Sequence, residues 1–315
     1  MNRLAVFNPA VRTLDESIAR ARAAERLGYE SVWTTQMPDA RDAALVLAAY
    51  ASNTERVKLG TGVLPIYTRH PTAMAQMAAT LDELSQGRFI LGIGISHKVT
   101  VEGMWGLRLE DPVQAMREYL TIVRTILREG GSTTEGKHFT ARGVYSAPHR
   151  AEVPIMISAL NPRMLELAGE LADGVVLYMC TPAYVRDHVV PTVRKGREKV
   201  GKTLEGFEVV SAVPVSLTTD RAAAHDVFRK TVARYASLPY YRKMMDASGL
   251  GSELSAERVG ERVLDELAGI GGEDQVRDAV RRYREAGVTL PAIGPFGGHE
   301  GAKGFEAALE AAAES

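Results

Sequence analysis

Cysteine is almost missing from this chain: Cys180 stands alone among 315 residues. One thiol can form neither an intrachain disulfide nor a thiolate metal cluster, which fits a reducing cytoplasm. Long apolar runs are missing too. No uninterrupted stretch approaches the roughly 20 residues that a helix needs to cross a bilayer. Residues 1–11 hold no basic region followed by an apolar core, so the sequence predicts neither a membrane span nor a signal peptide. Charge of one sign is not in excess either. A formal net charge of -1 removes the electrostatic reason to expect nucleic acid or an anionic membrane, and leaves a small-molecule substrate as the expected partner. No Pro/Ser-rich or low-complexity linker divides the chain, so a single domain over 1–315 is expected.

What is present is an alternation of strand and helix. Apolar runs at 4–7, 31–35, 57–64, 89–95, 155–158, 175–179, 208–217 and 289–293 read as eight strands. Helical patterns lie between them. The first opens on a capping box, Thr13 to Glu16, and others cover 43–51, 71–84, 113–127, 163–171, 183–200 and 305–312. Strands each followed by a helix specify an α/β fold with a parallel sheet. A doubly wound open sheet is the rival. Length and near-continuous alternation favour a closed (β/α)8 TIM barrel, whose site lies at the strand C-termini. Two stretches break the rhythm and are expected as insertions. One is an irregular or hairpin segment at 133–148; the other, at 238–257 with Tyr240, Tyr241, Met244 and Met245, is a plausible lid. The basic run from Arg194 to Lys202 reads as the solvated face of a helix.

The most informative eleven residues are Gly87 to His97. The run from Phe89 to Ile95 is a strand buried on both faces, ending in Ser96 and His97, which can bind or move a proton. Gly92 and Gly94 weaken a strand, so they point to close approach by another backbone or by a planar ligand. A closed barrel would bring Asn8, Thr35, Gln36, Gly62, Val63, Ser96, His97, Ser158, Tyr178 and Phe296 to one mouth. That set is polar, uncharged and glycine-rich. It holds no Asp/Glu/His cluster with metal-ligand spacing, so no metal is expected. The nucleophile elbow, the P-loop and the three-glycine dinucleotide motif are all absent from the sequence. Ser158-Ala159-Leu160-Asn161-Pro162 opens a helix whose free N–H groups suit a phosphate. Tyr67, His70, Trp105, Tyr178 and Phe296 are candidates for the wall of a substrate pocket.

Several of these stretches resemble, in order and spacing, the bacterial luciferase-like family. They are Trp33-Thr34-Thr35-Gln36, the run from Arg56 to Val63, Arg69-His70-Pro71, the run from Gly87 to His97, and Ala172-Asp173-Gly174. Ser96-His97-Lys98 with Val101 to Gly106 is similar to the branch that depends on coenzyme F420. The resemblance spans nearly the whole chain. It implies a (β/α)8 barrel that holds a flavin or 5-deazaflavin at the strand C-termini, and a homodimer. It also implies a non-proline cis peptide in the third strand, at Gly62-Val63. Asn8, Thr35, Gln36, Gly62, Val63, Ser96, His97, Ser158, Ala159 and Asn161 are then the expected cofactor contacts.

The chain departs from the sugar-phosphate dehydrogenases of that branch. Those carry Asp-His after the second-strand tryptophan and Glu after the fourth strand, where this chain has Gln36-Met37 and His97. His97 remains as the expected acid–base residue. The implied function is an F420-dependent oxidoreductase, a reductase or dehydrogenase, passing hydride between the deazaflavin C5 and a small organic substrate. Two alternatives stand beside it: an FMN-dependent monooxygenase on the same barrel, and a cofactor-binding protein with a degenerate site.

Overall fold

The computed structural model describes residues 3–8, 13–147, 149–255, 258–297 and 301–315. Its strands are β1 Ala5–Asn8, β2 Ser31–Thr34, β3 Lys58–Thr61, β4 Leu64–Pro65, β5 Phe89–Gly94, β6 Gly131–Glu135, β7 Thr140–Val144, β8 Ile155–Ser158, β9 Gly174–Leu177, β10 Glu208–Leu217, β11 Gly269–Gly271 and β12 Leu290–Pro295. Eight of them close a ring of parallel pairs in the order β1, β2, β3, β5, β8, β9, β10, β12 and back to β1. The expected (β/α)8 barrel is therefore the fold, and the open sheet is not. β4 continues the third strand alongside β5, and β11 adds to the outer end of β10.

Alternation along each strand sorts the side chains. Ala5, Phe7, Trp33, Ile90, Met156, Val176, Val210, Ala212 and Leu290 fill the barrel, while Val6, Val32, Leu91, Ile157 and Val175 pack against the helices outside. Close approach inside the ring explains the fourth-strand glycines. A Cβ on Gly92 would strike the Thr61 carbonyl oxygen, and one on Gly94 would sit 2.7 Å from Val63 Cγ2 and 2.5 Å from Ser158 Oγ. A neighbouring strand and its side chains thus make the close approach that the glycines allow.

The helices are α1 Leu14–Arg26, α2 Ala43–Ala51, α3 Pro71–Leu84, α4 Pro112–Glu129, α5 Pro162–Leu171, α6 Pro182–Tyr184, α7 Val190–Lys199, α8 Arg221–Ala236, α9 Pro239–Ala247, α10 Glu261–Leu267, α11 Glu273–Glu285 and α12 Gly301–Ala313. Thr13 caps α1 by accepting the Glu16 N–H at 3.1 Å, as its position predicts, but Glu16 bonds Arg20 rather than completing a reciprocal box. The helix expected at 183–200 is interrupted. A π-helical turn, Val185–Val189, joins α6 to α7, because Pro191 has no N–H to bond the preceding turn. The run after Pro191 is a helix face, but not one turned only to water. Lys195 and Lys199 pair with Glu166 of α5, and Arg197 bonds the Thr203 carbonyl at 2.7 Å.

The first irregular stretch is the antiparallel hairpin β6–β7, with Pro148 outside the described residues. The second holds α9 and a short 3-10 turn, Gly251–Glu253; its positions 256–257 lie outside the described residues.

Candidate functional site

The third strand ends in an irregularity at the mouth of the barrel. Gly62-Val63 is a cis peptide, as the resemblance implies, and it separates β3 from β4. Val63 and Tyr178 pack on the interior cluster that contains Phe7, so these three side chains form a floor at the strand C-termini. Two strand ends, those of β5 and β9, hold non-glycine residues in the left-handed region: Ser96 at φ 59° and Met179 at φ 49°. Such conformations are uncommon outside glycine and gather where the backbone must aim a side chain.

His97 follows Ser96. Its carbonyl accepts N–H bonds from Thr100 and Val101 at 2.9 and 2.8 Å, which starts the π-helical segment Val99–Met104. The ring is half-buried and makes no hydrogen bond to a described residue, so both nitrogens are available. It lies 5.8 Å from the ring of Tyr241 on α9. Tyr241 packs edge-on to Tyr235 of α8 at 4.9 Å, and Tyr235 packs edge-on to Tyr178 at 5.0 Å. Burial, followed by the positive charge of Arg234, lowers the His97 pKa, so the imidazole is neutral at pH 7.

Tyr67, two residues beyond β4, carries a buried hydroxyl without a hydrogen-bond partner. Burial pushes its pKa up to about 12, with the negative charges of Tyr240 and Asp111 adding to the shift. A buried orphan of this kind is rare in a protein interior and marks a place where a partner belongs. On the fifth strand, Ser158 leads into α5, where Asn161 accepts the Met164 N–H at 3.0 Å and Ala159 is buried. Gln36 accepts the Ala43 N–H at 2.9 Å and lines a cleft of about 210 Å³ with Leu64, Pro65 and Trp105. Thr35 is half-buried at the end of the second strand. A larger groove, of about 880 Å³, runs along α11 away from the mouth. Its charged walls, Arg277 with Glu314 and Arg282 with Asp278 among them, are paired with one another.

Three expected site residues are committed elsewhere. Asn8 points between the helices, where its Nδ2 donates to the Ser17 carbonyl at 2.9 Å and to Tyr50 Oη at 2.7 Å. Strand alternation explains this, since Phe7 takes the inward position beside it. His70 caps α3 by accepting the Thr72 N–H at 3.3 Å, and its Nε2 meets the Thr140 carbonyl of the hairpin at 3.0 Å. Phe296 stacks on Phe228 of α8, ring centres 4.6 Å apart, as support for the rim. Tyr241 beside His97, Tyr235 behind it and the nearby charge of Arg234 were not expected there. Only the tyrosine-rich composition of 238–257 signals one of them.

Among the described residues no group of three His, Cys, Asp or Glu could hold a metal, and no helix is long and apolar enough to cross a membrane. Comparison with known proteins gives consistent matches. A sequence model of the luciferase-like monooxygenases matches residues 2–290. A Mycobacterium tuberculosis protein provisionally named a coenzyme F420-dependent oxidoreductase is 32% identical over 314 residues, covering 86% of this chain and 88% of that one. The 5,10-methylenetetrahydromethanopterin reductase of Archaeoglobus fulgidus is 31% identical, with 88% of each chain covered. Among solved structures, the coenzyme F420-dependent tetrahydromethanopterin reductase of Methanopyrus kandleri superposes with a TM-score of 0.80 at 25% identity, over 99% of this chain and 97% of that one.

Proposed function

The chain belongs to the luciferase-like monooxygenase family, and from that premise we propose that it is a coenzyme F420-dependent oxidoreductase acting on a small organic substrate. The names of its relatives support the cofactor. The residues at the mouth fit a planar tricyclic ring. Val63, Phe7 and Tyr178 offer an apolar floor, and the Tyr67 hydroxyl is buried without a partner. The N-terminus of α5, after Ser158, Ala159 and Asn161, offers a phosphate the helix dipole and the Arg163 N–H, since Pro162 has no N–H and Asn161 already caps Met164. Thr35 and Gln36 beyond β2, and Ser96 beyond β5, would hold polar edges of the same group.

When bound, the deazaflavin supplies two-electron hydride chemistry. The observation that carries the reading is His97, half-buried, with both ring nitrogens free, three residues beyond the Gly94 that Val63 packs against. His97 handles the proton that accompanies hydride. Neutral at pH 7, it accepts a proton through a ring nitrogen when the substrate is oxidised, and must first be loaded when the substrate is reduced. Tyr241 and Tyr235 shield the ring from water on the side of α8 and α9.

Titration of the apoprotein with F420 and with FMN separately tests the cofactor. Saturable binding of F420, and anaerobic oxidation of reduced F420 by an electron-poor substrate, are expected. Binding of FMN alone, with turnover that needs oxygen, would instead assign the chain to the monooxygenases. The homodimer and the cytoplasmic location implied by the sequence belong to the same proposal, and sedimentation of the purified chain reads the first directly.

A further inference from the structure

We propose that the reactant bound at this mouth is an anion, a carboxylate or a phosphate ester, whose charge is met by Arg234. The inference rests on the oxidoreductase reading only in taking the mouth as the reactant's place. Helix α8 carries three arginines. Arg221 bonds Asp265 at 3.1 Å and the Ile270 carbonyl; Arg229 bonds the Val259 carbonyl and lies 3.9 Å from Asp226. Arg234 is exposed in the last turn and makes neither an ion pair nor a side-chain hydrogen bond to a described residue.

Its helix end is fixed over the mouth. Tyr235, the next residue, packs against Tyr178 on the floor and against Tyr241, which in turn faces His97. The charge of Arg234 acts on His97, Tyr178 and Tyr235 alike. On the segment of His97 itself, Lys98 pairs with Glu102 at 3.6 Å. The helix end over the mouth therefore carries a positive charge without a counter-ion among the described residues, within electrostatic reach of His97. A cation in a last helical turn is also favourable to the helix dipole, which is the plain structural account of Arg234. That account predicts no ligand preference.

The two accounts differ in a second respect. While Arg234 is uncompensated, a proton on His97 is repelled. An anion seated between them removes the repulsion, so its binding draws a proton from solvent onto the imidazole. Reactant binding would then load the acid that the reduction direction needs. Both the substrate and the cofactor tail are sources of anionic oxygen. The substrate is favoured because Arg234 adjoins Tyr235, whose ring packs on Tyr178 and on the Tyr241 that lies next to His97, whereas the phosphate seat described above lies at the N-terminus of α5.

Benzoate and benzamide, alike in shape and different in charge, are suitable probes for the full-length apoprotein by calorimetry. Benzoate is expected to bind at least about tenfold more tightly than benzamide, with proton uptake seen as a dependence of the heat on the buffer. Arg234→Gln should erase the preference and raise the His97 pKa read by NMR, while Arg234→Lys keeps both near wild type. F420 affinity should stay within about threefold in Arg234→Gln. The proposal is overturned by equal binding of the two probes, by no saturable benzoate binding at millimolar concentration, or by a preference that survives Arg234→Gln. A loss of F420 affinity of tenfold or more in that variant also overturns it, because the anion would then be the cofactor's. If the chain does not bind F420 but the Arg234-dependent preference holds, the oxidoreductase reading fails and this one stands.

Discussion

His97 and Tyr67 are polar side chains without partners near the same mouth, and burial moves their pKa values in opposite directions. The imidazole is held neutral and the phenol is held protonated at pH 7. Only His97 can therefore exchange a proton near neutrality, and its replacement separates two roles. His97→Ala should lower turnover by about 10² to 10⁴ if the residue moves the proton, with F420 affinity within about tenfold of wild type. His97→Gln keeps a hydrogen-bond donor and removes the titration. Near-normal turnover in the glutamine variant would reduce His97 to an orienting group. Acid stability gives an independent reading. A histidine whose folded pKa is lowered stabilises the fold fully above the unfolded value, and loses that contribution as pH falls through the folded one. Urea unfolding of His97→Asn should thus weaken less than wild type between pH 7.5 and pH 5. The position of His97 beyond the end of an apolar strand was legible in the sequence. The displacement of Asn8 and His70 was not, since a strand-end position does not say which of two alternating faces a side chain takes, nor that a histidine before a helix will cap it.

At the scale of elements, the irregular stretch at 133–148 shows how far pattern reaches. Its glycines announced a turn, but nothing local says where the hairpin lies. Glu118, on α4, decides that. Its buried carboxylate accepts the N–H groups of Lys137, His138 and Phe139 at 2.9, 2.7 and 3.1 Å, and the Gln114 side chain at 2.9 Å. Burial raises the pKa of this group, but the bonds from Gln114 and the three amides outweigh it and hold the carboxyl below the ordinary range. Its contribution is thus present above the ordinary glutamate value and lost as pH falls through the lower folded one. Glu118→Gln turns a donor toward donors and should cost about 2 kcal/mol of stability, since hydrogen bonds to charged groups are worth about 1.5 to 3 kcal/mol. Hydrogen exchange should quicken at the amides of 137–139 while the β5 amides keep their protection. Unchanged exchange there would mean that the hairpin is held by its other contacts, such as His70 to Thr140. A residue that binds a turn some twenty positions away leaves no periodic trace, which is why the latch was invisible in the sequence while the helix bearing it was plain.

Over the whole molecule, barrel closure was readable from eight apolar runs in near-continuous alternation with helical patterns, which at this length favour a ring over an open sheet. What the runs do not reveal is how the ring is fastened at the end opposite the mouth. Arg3, before β1, bonds Glu30, before β2, at 2.7 Å and Glu208, at the start of β10, at 2.8 Å. Lys58 of β3 reaches Glu30 at 3.0 Å, and Thr289, before β12, donates to Glu208 at 2.6 Å. Five adjacent barrel strands are thus joined across a sequence span of nearly the whole chain. The Arg3 guanidinium leads the effects on Glu30, burial opposes it, and Lys58 adds to it, so the carboxyl falls to about 2. A lowered carboxylate pKa means stability that is complete above the ordinary value of 4.5 and that disappears as pH falls through about 2. Arg3 is 45% exposed, so solvent screens the pair and its worth lies near that of a good surface network, about 1 kcal/mol. Glu30→Gln should lower stability by about that amount at pH 7, with the gap to wild type narrowing steadily below pH 4.5. Added salt should narrow it as well. A gap that is the same at pH 7 and at pH 3 would show that Glu30 acts through packing, and that the strands at this end are fastened by their backbone ladders alone.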